Sequence, residues 1–286
     1  MLTRRKFLYT GALAAAAGLG IEGFLETGRI KLKKIEIALT RLPEAFDGFT
    51  IAQLSDFHYD EHFSAATIRK TVQIVNSLRP DLVVLTGDFV TVPVLKRHSR
   101  KAAQTAGPCS EVLRGLHAPM GSFAVLGNHD VYADPLYVVS SLQEHSIPVL
   151  VNRSVPLERK SERIWLAGID DALDGMPDLG AALKGIPSSE PVLLLAHEPD
   201  FADEAALKSV DLQLSGHSHG GQIWIPGIGA PWLPALARNY PRGLYKVGKL
   251  TLYTNIGIGT IRAPIRINCP PEVTLITLRA EEKKSL

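Results

Sequence analysis

The sequence predicts an α/β fold in which two mixed β-sheets are sandwiched between helices. In the first half of the chain, short apolar runs that suit strands alternate with stretches whose apolar residues recur at helical spacing. In the second half, several short strand-like runs follow one another closely, which favours antiparallel pairing there. The range 34–280 contains no low-complexity segment or linker that would divide it, so a single layered domain accommodates both halves.

The individual elements follow from these patterns. The run at 34–39 alternates apolar and polar residues, as a half-buried strand does. Apolar residues recur at helical spacing from Ala65 to Leu78, so a helix is predicted to end before Pro80. The first half is predicted to contain strand 34–39, strand 49–54, helix 65–78, strand 82–85, helix 100–116, strand 122–126 and helix 135–145. The second half is predicted to contain strands 164–167 and 192–195, helix 201–208, and strands 211–214, 222–225, 244–247, 250–254 and 273–278.

Composition and charge exclude several classes of protein. The 286 residues are 45% hydrophobic and 21% charged, close to the average soluble globular chain, which excludes disordered and fibrous proteins. The first 30 residues carry the whole net charge of +2, so the body is neutral and has no basic run that suits a phosphate backbone. Nucleic acid is therefore not an expected partner. Cys109 and Cys269 are too few for a disulfide framework, and a single bridge is left open for a protein outside the cytosol.

Residues 1–30 are predicted to be a targeting segment. Arg4, Arg5 and Lys6 precede an apolar run rich in Ala and Gly, which is the layout of an export signal. The paired arginines resemble the twin-arginine signal, so the twin-arginine export machinery is an expected partner. Cleavage of the segment and its retention as an N-terminal membrane anchor are both compatible with the sequence. The domain is expected in the periplasm or cell envelope, and an anchor that faces the cytoplasm is the alternative.

Polar side chains of metal-ligand type come directly after five of the predicted strands. Ligands of open α/β sheets gather at the carboxyl ends of strands, so these side chains are expected to converge on one site built from five loops. A lone buried histidine or a lone Gly-Asp turn is more often structural, but five such clusters in order favour a site. The clusters are Asp56 and His58, Asp88, Asn128 with His129 and Asp130, His197, and His217 with His219.

The residue types indicate the chemistry of this site. Carboxylates, imidazoles and one amide, without thiolates, suit Mn, Fe or Zn rather than a structural zinc site or a Mg or Ca site. Seven candidate ligands are too many for one ion. Two divalent ions ~3.5–4 Å apart, bridged by a carboxylate, would use all seven and would form a clamp for a phosphoryl group.

This ordered set of motifs, over roughly residues 48–222, resembles the calcineurin-like metallophosphoesterase superfamily. The resemblance implies an αββα sandwich of two mixed β-sheets flanked by helices, with a dinuclear site. Asp56, His58 and His219 would hold one ion, Asp88 would bridge the two, and the other ion would be held by Asn128, His197 and His217.

The resemblance also implies catalytic roles. His129 matches the family histidine that contacts the phosphoryl group and assists the leaving oxygen, a task that suits an imidazole titrating near neutrality. Asp130 is expected to orient His129 or to contact the substrate. A hydroxide that bridges the two ions would be the nucleophile, so no Ser or Cys nucleophile is needed.

The segment after the last histidines is apolar and rich in Pro and Gly. Its aromatic residues Trp224, Trp232 and Tyr240 would form a rim that meets acyl chains or a membrane surface, with Arg238 and Arg242 facing a phosphate. The alternative is an irregular segment that packs on the core, with Arg242 an ordinary surface residue.

The sequence therefore predicts an exported or membrane-anchored, dinuclear metal-dependent phosphoesterase in the range 34–280. The paired arginines, the metal set and the sequence after His219 resemble exported bacterial phosphodiesterases of the YkuE and YaeI type. Phosphodiester or pyrophosphate bonds in envelope lipids or cell-wall polymers are the expected targets. The alternative enzyme is a UDP-2,3-diacylglucosamine pyrophosphatase of lipid A synthesis, and the alternative of another class is a catalytically inactive, membrane-tethered binding protein.

Overall fold

A computed structural model of the chain describes residues 4–93 and 99–281. The strands are β1 Lys31–Leu39, β2 Thr50–Leu54, β3 Leu82–Leu85, β4 Ser122–Ala124, β5 Arg153–Arg159, β6 Glu162–Gly168, β7 Val192–Leu195, β8 Leu212–Ser215, β9 Gly243–Val247, β10 Leu250–Thr254 and β11 Glu272–Ala280. The α-helices are α1 Arg4–Glu26, α2 Ala65–Leu78, α3 Ser99–Ala103, α4 Ala106–Leu113, α5 Asn128–Ala133, α6 Pro135–Glu144, α7 Leu179–Ala182 and α8 Ala202–Ala205.

Within the described residues, the strands form two mixed sheets. One has the order β1-β11-β2-β3-β4, and the other has the order β5-β6-β7-β8-β10-β9. Strands β2, β3 and β4 are parallel neighbours in the first sheet, and β6, β7, β8 and β10 are parallel neighbours in the second. The carboxyl ends of parallel neighbours lie at one edge of their sheet, so the loops after these strands are brought together.

Alternate residues of the inner strands face opposite sides of each sheet. In β3, Leu82 and Val84 belong to the core between the sheets, whereas Val83 and Leu85 face the core that α2, α4 and α6 cover. Strand β7 repeats this arrangement on the other sheet, where its outward residues pack with α7 and α8. Because strand side chains alternate with a period of two, the apolar runs bury both faces. The layers are helix, sheet, sheet and helix, which confirms the predicted αββα sandwich.

Most predicted elements have counterparts in the structure, and the differences have local causes. The predicted helix at 100–116 is divided into α3 and α4, and Pro108 lies in the first turn of α4, where a missing N–H is tolerated. The segment 222–225 is not a strand, so that prediction was wrong. Ile225 accepts a hydrogen bond from Gly229 N in a turn that includes Gly227, and both glycines have positive φ. Strand β5 was missed because it is a half-exposed edge strand with few apolar residues.

The N-terminal segment continues into the domain as helix α1, whose last turn contacts the segment 265–269. No helix in the described part of the chain combines the length and the apolar composition needed to cross a bilayer. Cys109 and Cys269 are both buried and free, so the structure contains no bridge between them.

Candidate metal centre

The five predicted clusters meet at the carboxyl edges of the two sheets. The loops after β2, β3 and β4 approach from the first sheet, and those after β7 and β8 approach from the second. Several of the meeting residues have left-handed backbone although they are not glycine: Asp56, His58, Asp88, His217 and His219 have φ values between 40° and 65°. Such conformations cost of order 1–3 kcal/mol each and collect at functional sites, where the surrounding structure enforces them.

Asp56, His58 and His219 form the first group of candidate ligands. His219 Nε2 lies 3.3 Å from Asp56 Oδ1 and 3.0 Å from His58 Nε2. The Asp56 carboxylate is oriented by the backbone N–H of His217, which donates to both of its oxygens at 3.0 and 3.1 Å. Ligand atoms of the three side chains all lie within 4.8 Å of one another, the spacing that one divalent ion requires.

Asp88, His197 and His217 form the second group, and Asp88 connects it to the first. The Asp88 Oδ2 atom lies 3.3 Å from His197 Nε2 and also 3.3 Å from His58 Nε2. His217 Nδ1 lies 3.2 Å from His197 Nε2. One carboxylate oxygen is therefore equally close to a histidine of each group, the position that a ligand shared by two ions would take.

The hydrogen bonds of the imidazoles determine which nitrogen of each faces the site. His58 Nδ1 lies 3.1 Å from Val90 O, and His197 Nδ1 lies 2.6 Å from Thr86 O. A carbonyl oxygen only accepts, so in both rings Nδ1 carries a proton and Nε2 is the nitrogen that faces Asp88. His217 is turned the other way, because its Nε2 donates to Ala235 O at 2.9 Å and leaves the Nδ1 lone pair toward His197. Backbone carbonyls commonly orient metal-binding histidines in this way.

Asn128 completes the donor set at the start of α5. Its Oδ1 atom is buried and has no hydrogen-bond partner. A buried amide oxygen without a partner costs about 1–3 kcal/mol, so such an atom calls for an explanation. A divalent cation would accept a lone pair of this oxygen. The site as a whole fits a metal, because it combines this oxygen with oriented imidazoles and two carboxylates.

Charge is distributed unevenly across the two groups. Burial raises the pKa of Asp88, but the neighbouring charges and hydrogen bonds of His197 and other histidines outweigh it and hold that pKa well below its usual value. Burial lowers the pKa of His217 to about 3, and the His197 charge contributes in the same direction. At neutral pH the site therefore offers an ionised carboxylate and a neutral imidazole, the protonation states in which these groups bind metal.

His129 lies beside these groups and lines a cavity of about 590 Å³. Its Nδ1 accepts a hydrogen bond from Val92 N at 2.8 Å, so the ring proton of neutral His129 is on Nε2. Burial lowers the pKa of His129 to about 4, although the charge of Asp88 opposes the shift. The ring is therefore neutral at pH 7 and acts as an N–H donor, rather than titrating near neutrality as the sequence suggested.

The structure places Asp130 below the site and not in the cavity. The residue is fully buried, and its two oxygens each accept two backbone N–H groups, those of Asp88 and Gly127 on one oxygen and those of Phe89 and Val90 on the other. The expectation that Asp130 contacts substrate is therefore corrected, since the side chain clamps the loops after β3 and β4 together. Burial raises the pKa of Asp130 to about 7, and the backbone donors oppose the shift.

The predicted phosphate contact of Arg242 is also corrected. The Arg242 guanidinium stacks 4.5 Å above the Trp224 ring and lies 4.0 Å from Cys269 Sγ, and the residue is not among those that line the cavity. Arg262, which the sequence analysis missed, lines the cavity and stacks 4.9 Å from the centre of the Trp232 ring. Its position after β10 follows the rule that strand ends supply sites, but no residue of metal-ligand type marked this loop.

Comparison with known proteins is consistent with this geometry. A family model described as calcineurin-like phosphoesterase matches residues 49–221. The chain is 34% identical to the metallophosphoesterase YkuE of Bacillus subtilis, over 98% of each chain. It is 31% identical to the phosphodiesterase YaeI of Escherichia coli, over 97% of this chain and all of that one.

A solved structure shares the fold. Protein TT1561 of Thermus thermophilus superposes with a TM-score of 0.51 at 12% identity, over 73% of this chain and 90% of that one. The donor groups that meet at the strand ends, the matched motifs and the full-length relatives agree with one another. The chain belongs to the calcineurin-like phosphoesterase family and is a metal-dependent phosphoester hydrolase.

Proposed function

We propose that the protein is a phosphodiesterase that uses two divalent ions to hydrolyse phosphodiester or pyrophosphate bonds in envelope lipids or cell-wall polymers. The observation that carries this proposal is the position of Asp88, whose Oδ2 atom is equally close to His58 and to His197. A carboxylate between two groups of ligands suits two ions better than one. Two ions of Mn, Fe or Zn, when bound, supply a clamp for phosphoryl oxygens and an activated water.

His129 is a proton-bearing group that lines the cavity beside the candidate metal ligands. Its backbone N–H donates to Asp88 Oδ1 at 2.9 Å, which ties the position of the ring to the bridging carboxylate. Val92 N holds the Nδ1 side, so Nε2–H is the donor available to a phosphoryl or leaving oxygen. Donation of this kind is typically worth ~10²–10⁴ in rate.

The walls of the cavity support an apolar substituent on the phosphate. A volume of about 590 Å³ lies within the usual range for small-molecule sites. Arg262 supplies a positive charge at the wall, which suits an anionic group of the substrate. The apolar walls are formed by Val92, Pro93, Tyr132, Leu173, Trp232, Pro234 and Ile261.

Export by the twin-arginine machinery, or anchoring at the membrane, is part of the proposal. Apolar side chains on α1 are exposed by 50–70%, which supports an environment other than water for this helix: Leu13, Leu19, Ile21, Phe24 and Leu25. Replacement of both Arg4 and Arg5 by Lys is expected to leave the protein in the cytoplasm, as measured by cell fractionation. An unchanged distribution would contradict the export route.

The chemistry is tested with a chromogenic phosphodiester. The purified protein is stripped of metal and reloaded with Mn²⁺, and Asp88→Asn is assayed beside it. We expect turnover that requires metal and that the variant lacks. Bound Mn²⁺ without turnover of any diester would contradict the phosphodiesterase proposal.

The substrate class is tested by competition between three diphosphate or diester probes at equal concentration. A phosphodiester with an acyl chain is expected to be hydrolysed faster than a water-soluble nucleoside diester, because the cavity walls are apolar. Faster cleavage of a UDP-linked acyl sugar than of either would instead identify a pyrophosphatase of lipid A precursors.

A further inference from the structure

The segment between β10 and β11 forms one wall of the first metal group. Ile258 N donates to Ser55 O at 2.9 Å, and Gly259 N donates to Asp56 O at 2.7 Å. A Cβ atom on Gly257 would lie 2.6 Å from the Asp56 Cβ, and one on Gly259 would lie 2.1 Å from Phe57 O. The backbone of this segment therefore lies so close to Asp56 and Phe57 that only glycine fits at positions 257 and 259.

Arg266 holds this wall from behind. It is 0% exposed, and its guanidinium donates to three backbone carbonyls, those of Ile256, Gly259 and Cys269. Its Nη2 atom also lies 3.5 Å from His219 Nδ1. Burying a guanidinium is costly unless its donors are satisfied, so this set of bonds constrains where the segment lies.

The C-terminal turn of α1 fixes the backbone at Arg266 and at residues 268–269. Arg266 N donates to Gly23 O at 2.9 Å. The Glu26 carboxylate accepts from Asn268 N at 3.0 Å and from Cys269 N at 2.9 Å. A Cβ atom on Gly23 would lie 2.6 Å from Ile265, so the helix and the segment are in direct contact.

We propose that Arg266, held by Gly23 and Glu26, is a positioning residue for the ion bound by Asp56, His58 and His219. The end of α1 is then part of the support of the metal centre and not only of a targeting segment. The chain of contacts runs from Glu26 through the 268–269 backbone and the Arg266 guanidinium to Gly259, which bonds to Asp56. The inference rests on the proposed two-ion site.

The test counts bound metal and needs no substrate. The purified full chain and its variants are dialysed against increasing free Mn²⁺, bound Mn²⁺ is measured by elemental analysis, and paired ions are detected by electron paramagnetic resonance. Asp56→Asn, which removes a ligand of the same group, provides the spectrum expected for one remaining ion. Thermal unfolding is recorded in parallel.

Arg41 provides a matched control. Its guanidinium also donates to backbone carbonyls, those of Ser188 and Ser209, and to Asp211. Asp211 precedes β8 whereas His217 follows it, so this arginine lies at the opposite end of the strand. Arg41→Met is expected to lower the Tm and to keep two bound ions.

We expect Arg266→Met to bind one ion at the Mn²⁺ concentration where the wild type binds two. Arg266→Lys is expected to recover part of the second binding event. Glu26→Gln replaces one accepting oxygen by an NH₂ group, and we expect one of the two ions to bind about 10- to 100-fold more weakly, the usual effect of losing an outer support of a metal ligand.

The opposite results are equally clear. The inference would be overturned if Glu26→Gln and Arg266→Lys both bound the two ions with wild-type affinity. This result would count even if Arg266→Met did not fold. Equal weakening of both ions, in proportion to a loss of Tm, would reduce Arg266 to a general structural residue. A wild-type chain that binds only one ion would overturn the two-ion proposal itself.

Discussion

Gly87 lies where the loops after β3 and β4 cross beside His197, and its replacement by alanine tests how tightly the site is built. The residue has φ +94°, a left-handed conformation that favours glycine. A Cβ atom here would lie 2.6 Å from Gly127 N and 2.7 Å from His197 Nδ1. Because that nitrogen donates to Thr86 O, the added methyl group must displace either the loop or the imidazole.

The magnitude has two parts. A left-handed alanine costs roughly 1–2 kcal/mol, and forcing a methyl group into packed surroundings costs about 1–3 kcal/mol more. Gly87→Ala is therefore expected to lower the free energy of unfolding by about 2–5 kcal/mol. Gly185 separates the two parts, since its φ is +82° but nothing lies within 4 Å of the position of its Cβ atom. Gly185→Ala should lose only the first part.

The assay is thermal unfolding of both variants without metal, followed by measurement of bound Mn²⁺. At about 2–4 °C per kcal/mol for a chain of this size, the Tm of Gly87→Ala should lie below that of Gly185→Ala. Gly87→Ala should also bind less Mn²⁺, because His197 no longer points its Nε2 atom toward Asp88. Equal Tm values and equal metal content in the two variants would refute the close approach on which this reasoning depends.

Three further predictions concern individual side chains of the site. Asp88→Asn should lower bound Mn²⁺ in both groups, whereas His129→Ala should keep its metal and lose about 10²–10⁴ in turnover; metal loss in His129→Ala would contradict the division of roles. Asn128→Ala should not destabilise the metal-free chain, because it removes an oxygen that is buried without a partner, but it should weaken Mn²⁺ binding. A large loss of stability without metal would mean that Oδ1 has a partner. Arg262→Ala should raise the KM of an anionic diester about 10-fold or more, because hydrogen bonds to charged groups are worth about 1.5–3 kcal/mol. Arg242→Ala should leave KM unchanged, and equal effects of the two variants in steady-state assays would show that the cavity is bounded differently.

The layered fold could be predicted because its inner strands are buried on both faces and read as continuous apolar runs. The runs 82–85 and 192–195 match β3 and β7 at both ends for this reason. The segment 222–225 is apolar too, yet it contributes only isolated bridges, from Ile223 to Ile267 and from Ile225 to Gly229. Apolar composition alone does not distinguish a strand from an apolar segment that leads into a glycine-containing turn.

The candidate metal ligands could be predicted because their residue types are unusual at strand ends. The interpretation of Asp130 and Arg242 went wrong for a different reason. The oxygens of Asp130 are occupied by four backbone N–H groups, and the Arg242 guanidinium stacks on Trp224. Neither set of partners follows from the local pattern, because three of the donors to Asp130 come from the loop after β3, and Trp224 lies 18 positions from Arg242 along the chain.

Sequence alone determined most of the order of strands and helices, the set of residue types that suit a metal and the place of each after a strand, because local pattern and side-chain chemistry are properties of neighbouring residues. Tertiary structure decided which nitrogen of each imidazole faces the site, that Asp88 lies between two groups of ligands, and that Arg262 rather than Arg242 lines the cavity. It also placed Glu26 and Arg266 behind Asp56, although 240 positions separate these two residues along the chain. Such contacts depend on how distant loops pack, and no periodicity within the chain records them.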